Sequence, residues 1–459
     1  MSIFLFFCYI KNMIQKYLAK YNLPEHKQAI AIALLLMAVA IMYAWYIQPP
    51  LNVDAKAHQR IALNILQGNG YWETSPPDQT FDPAIGRSGP LLEYFLAALY
   101  FIFGVHIWIV WLVQAILHGL TAWLIYKICL LIFSTQDSKK QIGLIAMILF
   151  GFYPDLIESS AMLMTETGFI FLSTWLLFLF FKYIKNPNHK TLIFFSLIAV
   201  LTFLAKSTIA LPAITFIIYF IKNKQYKQFA MVSMIVILLV SPWILRNYLT
   251  FHKFIPSRTY GFYTLHNGNY HGASGENDIE LLPEAIKIRD EQGIFAVEEY
   301  AKKQFFNFIK DHPIEYALLY FKKISIYFSW LRPTGHWPYL SSSQRLITFL
   351  TSGLFSVVVF SLGFSGLWKT LKQWKTNQTI KYLALFTLIT PLPFIITLVE
   401  TRYRYPIYPL LAIFSGYALI TWQKDRQYKI FIFIFMILLF NATFDLWLNW
   451  SRFITQLPF

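Results

Sequence analysis

The chain has 459 residues, of which 57% are apolar and only 14% charged, and its formal net charge is +16. A soluble protein usually carries about 25% charged residues, and a charge-poor surface of this size would aggregate. The aromatic content of 19% excludes a disordered chain. The basic charge fits either nucleic-acid binding or a membrane protein with basic cytoplasmic loops.

The N-terminal segment MSIFLFFCYI (1–10) is apolar but too short to span a membrane. It lacks a small-residue cleavage site, so it is not a convincing signal peptide. Two interpretations of this segment stay open from the sequence: it lies on the membrane, or the true start of the chain is Met13. Cys8 and Cys129 both fall in apolar runs and cannot form a disulfide framework.

The apolar pattern predicts an all-α polytopic membrane protein with about 11 transmembrane helices, since a helix needs about 20 mostly apolar residues to cross the hydrocarbon core. Some of the segments are short, which is tolerated where the bilayer thins or neighbouring helices shield the ends. In chain order they are 28–47, 107–133, 142–157, 162–182, 190–205, 207–221, 228–245, 346–368, 381–398, 404–422 and 429–447.

Two connecting segments are long enough to contain structure of their own. Residues 48–106 contain two predicted surface helices, Ala57–Gly68, which is interfacial, and Pro90–Phe103, which is interfacial or re-entrant. Residues 246–345 predict a helical subdomain with amphipathic helices near 280–292, 295–311 and 314–331. The chain therefore divides into an N-terminal transmembrane catalytic module (1–245), the extracytoplasmic helical subdomain (246–345) and a C-terminal transmembrane module (346–459).

Lysine and arginine predict the orientation. With the N-terminus inside, the inner segments carry 20 basic residues and the short outer segments carry seven, while the long outer loop is near neutral. This asymmetry is a strong positive-inside signal. We therefore expect a multi-pass plasma (inner) membrane protein with a cytoplasmic N-terminus and an extracytoplasmic active site.

Several kinds of chemistry have no signature in the chain. There is no GxxxxGK[ST] phosphate loop, no GxGxxG after a strand, and no HExxH or CxxC. No internal repeat is evident, which weakens the interpretation as an inverted-repeat transporter.

Ionisable residues gather at the predicted outer ends of the spans, where a charge is costly and usually functional. A carboxylate facing several cations could deprotonate an acceptor hydroxyl while the cations stabilise a departing phosphate. Arginine suits phosphate because its planar fork donates hydrogen bonds in pairs. The carboxylates are Asp54, Asp155, Glu158, Glu166 and Glu400, and the cations are Lys56, Arg87, Lys206, Arg246, Arg402 and Arg404.

Each candidate has a structural alternative. Asp54 could be the N-cap of the helix that begins at Ala55, Asp155 after Pro154 fits turn chemistry, and Lys206 could extend to the interface. Glu166 lies about one turn inside an apolar span and favours function.

The motif ETRYRYPIYP places Arg402 and Arg404 on the outer side, against the prevailing charge bias, which favours anion binding. His266 and His271, in TLHNGNYHG, could be metal ligands, but ordinary polar loop residues are the commoner case.

Five segments resemble the family-39-type membrane glycosyltransferases, the bacterial relatives of dolichyl-phosphate-mannose–protein mannosyltransferases and of the lipid A aminoarabinose transferases. The resemblance implies a GT-C fold and a lipid-phosphate-linked sugar donor. The segments are VDAKAHQRIALNILQGNGYW (53–72), IGRSGPLLEYFLAALYFIFG (85–104), SSAMLMTETGFIF (159–171), SPWILRNYLTFHKFIPSRTYGFYTLHNGN (241–269) and ETRYRYPIYPLLAIFSGYAL (400–419).

Carried over by position, the resemblance makes Asp54 the catalytic base and Glu166 a second acid at the membrane edge. It places Arg87, Lys206, Arg246 and Arg402 in the donor-phosphate pocket, to which the outer charge pattern adds Lys56 and Arg404.

The chain departs from the family pattern in three ways. Ala55 and Lys56 follow Asp54 where many members have a second acid, which leaves fewer ligands for a possible divalent metal. Arg87 lies three residues before Pro90 rather than two. No acceptor-protein module of the eukaryotic type is evident.

Together these features predict an inverting glycosyltransferase that moves a sugar from a polyprenyl-phosphate donor, which enters from the membrane lipid, to a glycolipid, polysaccharide or protein acceptor. No nucleic-acid partner and no certain cofactor are expected. One alternative is a transporter or flippase of lipid-linked sugars, for which Pro391 and Pro393 could break the ninth span. Another is a non-catalytic membrane assembly protein.

Overall fold

The computed structural model describes residues 25–450 apart from 79–80, 88, 279–281, 333–338, 372 and 426–427. The predicted interfacial segment 1–10, with Cys8, and the alternative start at Met13 lie outside the described residues.

The described part contains helices and no strand, in agreement with the predicted fold class. The α-helices are α1 (Glu25–Ile47), α2 (Val53–Leu66), α3 (Leu91–Phe103), α4 (Ile107–Ile132), α5 (Lys139–Gly151), α6 (Pro154–Ala161), α7 (Thr165–Lys185), α8 (His189–Ala205), α9 (Ile214–Lys222), α10 (Tyr226–Phe251), α11 (Gly261–Asn267), α12 (Pro283–Gln292), α13 (Ile294–Asp311), α14 (Pro313–Phe328), α15 (Ser342–Leu371), α16 (Gln378–Ile389), α17 (Leu392–Ile396), α18 (Tyr408–Asp425) and α19 (Tyr428–Leu448).

The protein is a multi-pass membrane protein. Seven described stretches are long and apolar enough to cross a membrane, namely α1, α4, α7, α10, α15, α16 with α17, and α19. An eighth is formed by α5 and α6 if these two helices, which meet at 58°, make one broken span. The other three predicted spans coincide with α8, with Ser207–Lys222 and with α18, which are shorter or less apolar. The count of eleven stays a prediction.

Proline breaks one of the predicted spans. The sequence predicted one span over 142–157, but α5 ends at Gly151 and α6 begins at Pro154. Proline has no N–H to continue the helical ladder and its ring clashes with the preceding turn. Pro391 separates α16 from α17 only locally, because Gln378–Ile396 still forms one span.

Small residues allow the central helices to approach closely, as is common between membrane helices. A Cβ at Gly366 of α15 would lie 2.0 Å from the carbonyl oxygen of Phe414 in α18. A Cβ at Gly416 of α18 would lie 2.5 Å from the carbonyl oxygen of Ile142 in α5. The α18 helix is therefore held tightly between two neighbours, and the segment before it has a fixed position.

The first outer segment contains α2 and α3 where interfacial helices were predicted. α2 begins at Val53, because the side chain of Asn52 accepts a hydrogen bond from the Ala55 N–H at 2.8 Å and caps the helix. The cap that the sequence allowed for Asp54 is thus provided by Asn52, so the carboxylate of Asp54 is available for other contacts. The Asn52 amide also contacts the Met164 sulfur at 3.6 Å, which places the start of α2 beside the start of α7.

The second long connecting segment, 246–345, contains α12, α13 and α14 within a few residues of their predicted bounds, and is called the subdomain below. Its turn after α11 is attached to the C-terminal module. The amide of Asn269 donates to the Thr397 carbonyl at 3.0 Å, and the buried ammonium of Lys323 donates to the same carbonyl at 2.6 Å. These bonds fix the chain just after α17, which leads directly to Glu400 and Arg402.

Candidate active site

Asp54 is the second residue of α2, and two arginines face its carboxylate. Oδ2 accepts a hydrogen bond from Arg402 at 2.9 Å, and Oδ1 lies 3.5 Å from a terminal nitrogen of Arg87. Burial alone would raise the pKa of Asp54, but Arg402, with His58 and Arg87, holds that pKa below its usual value. The side chain is 35% exposed. Asp54 is therefore an ionised carboxylate that remains open to an incoming molecule.

Arg402 bridges two carboxylates from distant parts of the chain. It lies in the 3-10 turn Thr401–Ile407 and donates from Nε to Glu400 at 2.7 Å, while its terminal nitrogen reaches Asp54. Asn277 donates to the other oxygen of Glu400 at 3.1 Å. Arg402 thus joins the first outer segment to the C-terminal module.

Arg87 is oriented by Glu73, a residue that the sequence analysis did not select. The guanidinium binds Glu73 through two hydrogen bonds of 2.9 Å each. Glu73 also accepts from Arg60, and its own N–H donates to Asp82 at 3.0 Å. A carboxylate held on this many sides is rigid, so it aims Arg87 toward Asp54.

Glu166 and Lys206 form a second ion pair, with a distance of 3.0 Å between Nζ and Oε1. Glu166 is buried in the first turn of α7, and Lys206 ends α8. The ring of Tyr403 connects the two pairs, because Lys206 lies 5.6 Å and Arg402 lies 5.5 Å from its centroid. Asp54, Arg87, Glu166, Lys206 and Arg402 are called the outer cluster below.

Three predicted phosphate-binding residues lie outside the outer cluster. Arg246 donates to the Tyr71 carbonyl at 2.9 Å and is surrounded by the rings of Tyr71, Trp72, Trp243 and Phe251. Arg404 is 1% exposed and donates to backbone carbonyls. Lys56 is exposed on α2.

Arg258 belongs near the outer cluster, although the sequence analysis did not select it. It is half-buried next to Thr259, whose N–H donates to the Ile85 carbonyl at 3.0 Å, two residues before Arg87. Burial lowers its pKa from the usual value, opposed by Tyr403 and Glu298. Within the described part of the chain, no hydrogen bond or ion pair neutralises its charge. Arg258 is therefore a cation with spare hydrogen-bonding capacity.

The carboxylates of the outer cluster do not fit a divalent metal. Calcium and magnesium need several oxygen ligands around one point, and zinc needs ligands that face each other. Asp54 faces Arg402 and Arg87, and Glu166 faces Lys206. A metal at either carboxylate would have to displace a cation and would lie close to its charge.

Comparison with known proteins agrees with this fold. Residues 87–245 match the sequence model of a family described as dolichyl-phosphate-mannose-protein mannosyltransferase, which supports the resemblance over that part of the chain. A comparison with curated proteins finds no match.

Three solved structures match most of this chain. The apo oligosaccharyltransferase of Archaeoglobus fulgidus shares 14% identity at a TM-score of 0.50, covering 92% of this chain and 54% of that one. ArnT of Cupriavidus metallidurans bound to undecaprenyl phosphate shares 13% at 0.49, covering 86% and 61%. Archaeal AglB from Archaeoglobus fulgidus with an inhibitory peptide and a dolichol-phosphate shares 12% at 0.44, covering 90% and 54%. The chain thus spans only 54–61% of the length of these three structures, and its fold is GT-C-like.

Proposed function

We propose that the protein is an inverting glycosyltransferase that moves a sugar from a polyprenyl-phosphate donor to an acceptor hydroxyl at the outer membrane–water boundary. The observation that carries this proposal is the outer cluster, in which an accessible, ionised carboxylate at Asp54 is held among cations next to Arg258. The family match over residues 87–245 supports a lipid-linked sugar as the donor class.

Asp54 would act as the general base. The acceptor oxygen attacks the anomeric carbon, its proton passes to Asp54, and the bond between that carbon and the phosphate oxygen breaks. The electron pair of that bond leaves with the lipid phosphate. A single displacement of this kind inverts the configuration at the anomeric carbon.

The cations would stabilise the departing phosphate, which gains a negative charge as the bond breaks. Arg402, Lys206 and Arg87 are each balanced by carboxylates before the reaction, whereas Arg258 is not. When Asp54 takes the proton, Arg402 loses one of its two anionic partners, and its charge becomes available to the phosphate. Proton transfer and leaving-group stabilisation are thereby coupled, and no step needs a metal.

The charge distribution supports a membrane setting for this reaction. The excess of lysine and arginine on the predicted inner side favours an outer cluster on the extracytoplasmic face of the plasma (inner) membrane. The donor would enter laterally from the bilayer, and the acceptor would be a glycolipid, polysaccharide or protein. No nucleic-acid partner is expected, because the basic excess is explained by orientation of the chain in the membrane.

The test is transfer from radiolabelled polyprenyl-phosphate sugars by the full chain in liposomes. Asp54→Asn keeps the shape of the side chain but cannot take a proton, so transfer should fall by about 10²- to 10⁴-fold. Asp290→Asn, which changes an exposed acid of α12, is the matched control and should retain activity.

Retained transfer by a well-expressed Asp54→Asn protein would contradict the assignment of the base. Labelled lipid that changes leaflet without loss of its sugar would instead support the flippase alternative.

A further inference from the structure

Two histidines and a glutamate from separate segments meet on the surface of the helical subdomain. His271 lies in the turn after α11, His312 precedes α14, and Glu315 is in the first turn of α14. Nδ1 of His271 is 2.7 Å from Oε2 of Glu315, and Nδ1 of His312 is 3.8 Å from the same oxygen. The two imidazole rings are stacked with centroids 4.5 Å apart. One possible ligand atom of each residue thus lies within 4.8 Å of the other two.

The distances suit a small tetrahedral ion. Ligand atoms about 2.0–2.1 Å from a tetrahedral zinc lie about 3.3 Å from one another. The separations of 2.7 and 3.8 Å bracket that value, and all three ligand atoms lie within 4.8 Å of one another. Because the two imidazole rings are stacked at 19°, metal binding would also turn them out of their nearly parallel arrangement.

The backbone holds the Glu315 side chain in position. The Gly272 N–H donates to Oε1 of Glu315 at 2.7 Å, which leaves Oε2 directed toward the histidines. Hydrogen bonds of this kind orient ligands in known metal sites. The carbonyl of His312 accepts from the Tyr316 N–H at 3.0 Å, so the backbone of His312 is fixed at the start of the helix that carries Glu315.

We propose that His271, His312 and Glu315 bind a divalent transition metal of the zinc class. Two imidazoles with one carboxylate favour zinc over magnesium or calcium, which prefer oxygen ligands. The side chains of His271, His312 and Glu315 are 73%, 43% and 36% exposed, so the fourth position is open to water.

The metal would join the turn after α11 to the junction of α13 and α14. That turn also touches the C-terminal module, because the Asn269 amide donates to the Thr397 carbonyl at 3.0 Å. The metal would therefore hold the segments of the subdomain together, at residues remote in sequence from Asp54.

The test measures metal binding by the purified full chain in detergent after treatment with a chelator. Zn²⁺ titration should give one equivalent bound per chain, and Co²⁺ should give the visible absorption of a tetrahedral complex. Binding should weaken at lower pH, because protons compete with the metal for the imidazoles. Zn²⁺ should also raise the thermal unfolding temperature, since it binds only the folded arrangement.

His271→Ala and His312→Ala should each abolish that equivalent, while His106→Ala, an exposed histidine of another outer segment, should leave it unchanged. Unfolding measured without metal checks that the variants are folded. The proposal is wrong if Zn²⁺ binds equally to the wild type and to folded His271→Ala and His312→Ala, or does not bind the wild type at millimolar concentration.

Discussion

Arg402 and Arg404 are two residues apart in one motif, but they belong to different regions of the molecule. The first lies in the outer cluster, binds Asp54 and Glu400, and is 18% exposed. The second is 1% exposed and donates to the carbonyls of Ser329 and Arg332. The 3-10 turn Thr401–Ile407 rotates the chain between them, so the Arg402 side chain is partly solvated and the Arg404 side chain is buried.

The region around Arg404 is a buried polar cluster inside the bundle. Asp155 accepts from Ser352, the Tyr153 hydroxyl lies 2.5 Å from that of Ser356, and the rings of Tyr153 and Tyr408 stack at 4.1 Å. Arg404 interacts electrostatically with Asp155 and Tyr408. These groups have little access to solvent and make several hydrogen bonds with one another, which is typical of polar groups that hold a fold together, although Asp155 Oδ2, Arg404 Nε and the Tyr408 hydroxyl have no hydrogen-bond partner among the described residues. The outer cluster differs because the carboxylate of Asp54 and the cation of Arg402 are partly accessible.

Arg402→Gln should produce the largest change in activity. It removes the cation that holds Asp54 ionised and that is freed for the phosphate, so transfer should fall by about 10²- to 10³-fold. The thermal unfolding temperature should fall less than it does for Arg404→Gln, because Arg402 is partly solvated. Transfer rates and unfolding are measured on the same reconstituted protein, and normal transfer would remove Arg402 from the proposed mechanism.

Arg404→Gln should lower stability and leave transfer nearly unchanged, the opposite of Arg402→Gln. The carbonyls of Ser329 and Arg332 lose a charged donor inside the protein, so the free energy of unfolding should fall by about 3 kcal/mol. Transfer per folded molecule should stay within a few-fold of the wild type. Chemical unfolding of detergent-solubilised protein measures the first effect, and a stable but inactive variant would show that the two arginines share one role.

Arg258→Gln tests whether an uncompensated cation near the outer cluster receives the phosphate. Loss of a charged hydrogen bond should lower transfer by about 10- to 100-fold, mostly through the KM for the lipid donor. Stability should be unchanged or slightly increased, because burial of this cation is unfavourable. Arg289→Gln, on the surface of α12, is the control. An unchanged KM would contradict this role.

The sequence predicted the parts of both regions that depend on local pattern. Apolar runs located the helices, and motif order indicated Asp54, Arg87, Glu166, Lys206 and Arg402, which the fold brings together. The sequence could not distinguish the role of Arg402 from that of Arg404. The two residues lie in the same turn, and the direction in which each side chain points depends on the conformation of that turn.

The contacts that could not be predicted from the sequence join residues that are separated along the chain. Glu73 becomes significant only because Arg87 folds back onto it, and Arg258 only because its neighbours leave it uncompensated. His271 was considered together with His266 as a metal ligand, but its partners are His312 and Glu315. Each of these pairings joins segments of the outer loops that have no fixed spacing in the sequence.

Lys323 extends the comparison to the subdomain. It is fully buried in α14 and donates to the Asn269 side chain and to the Thr397 carbonyl, each at 2.6 Å. No carboxylate in the described part of the chain forms an ion pair with it. Burial lowers its pKa to about 7. Like Arg404 it is a buried cation that binds carbonyl groups, but it can lose its proton near neutral pH.

Stability should therefore depend on pH through Lys323. The unfolded chain binds this proton up to the usual lysine pKa, whereas the folded protein releases it above about pH 7. The burial penalty is fully present below pH 7 and is relieved as the pH rises, by at most about 1.4 kcal/mol per pH unit. Lys323→Met removes this dependence, so the unfolding temperature of the wild type should rise relative to that of the variant by no more than about 3 °C between pH 7 and 8. Lys322→Met, at the neighbouring half-buried position, is the control and should show the same pH dependence as the wild type. If the unfolding temperatures of the wild type and Lys323→Met change in parallel with pH, Lys323 keeps its proton throughout this range.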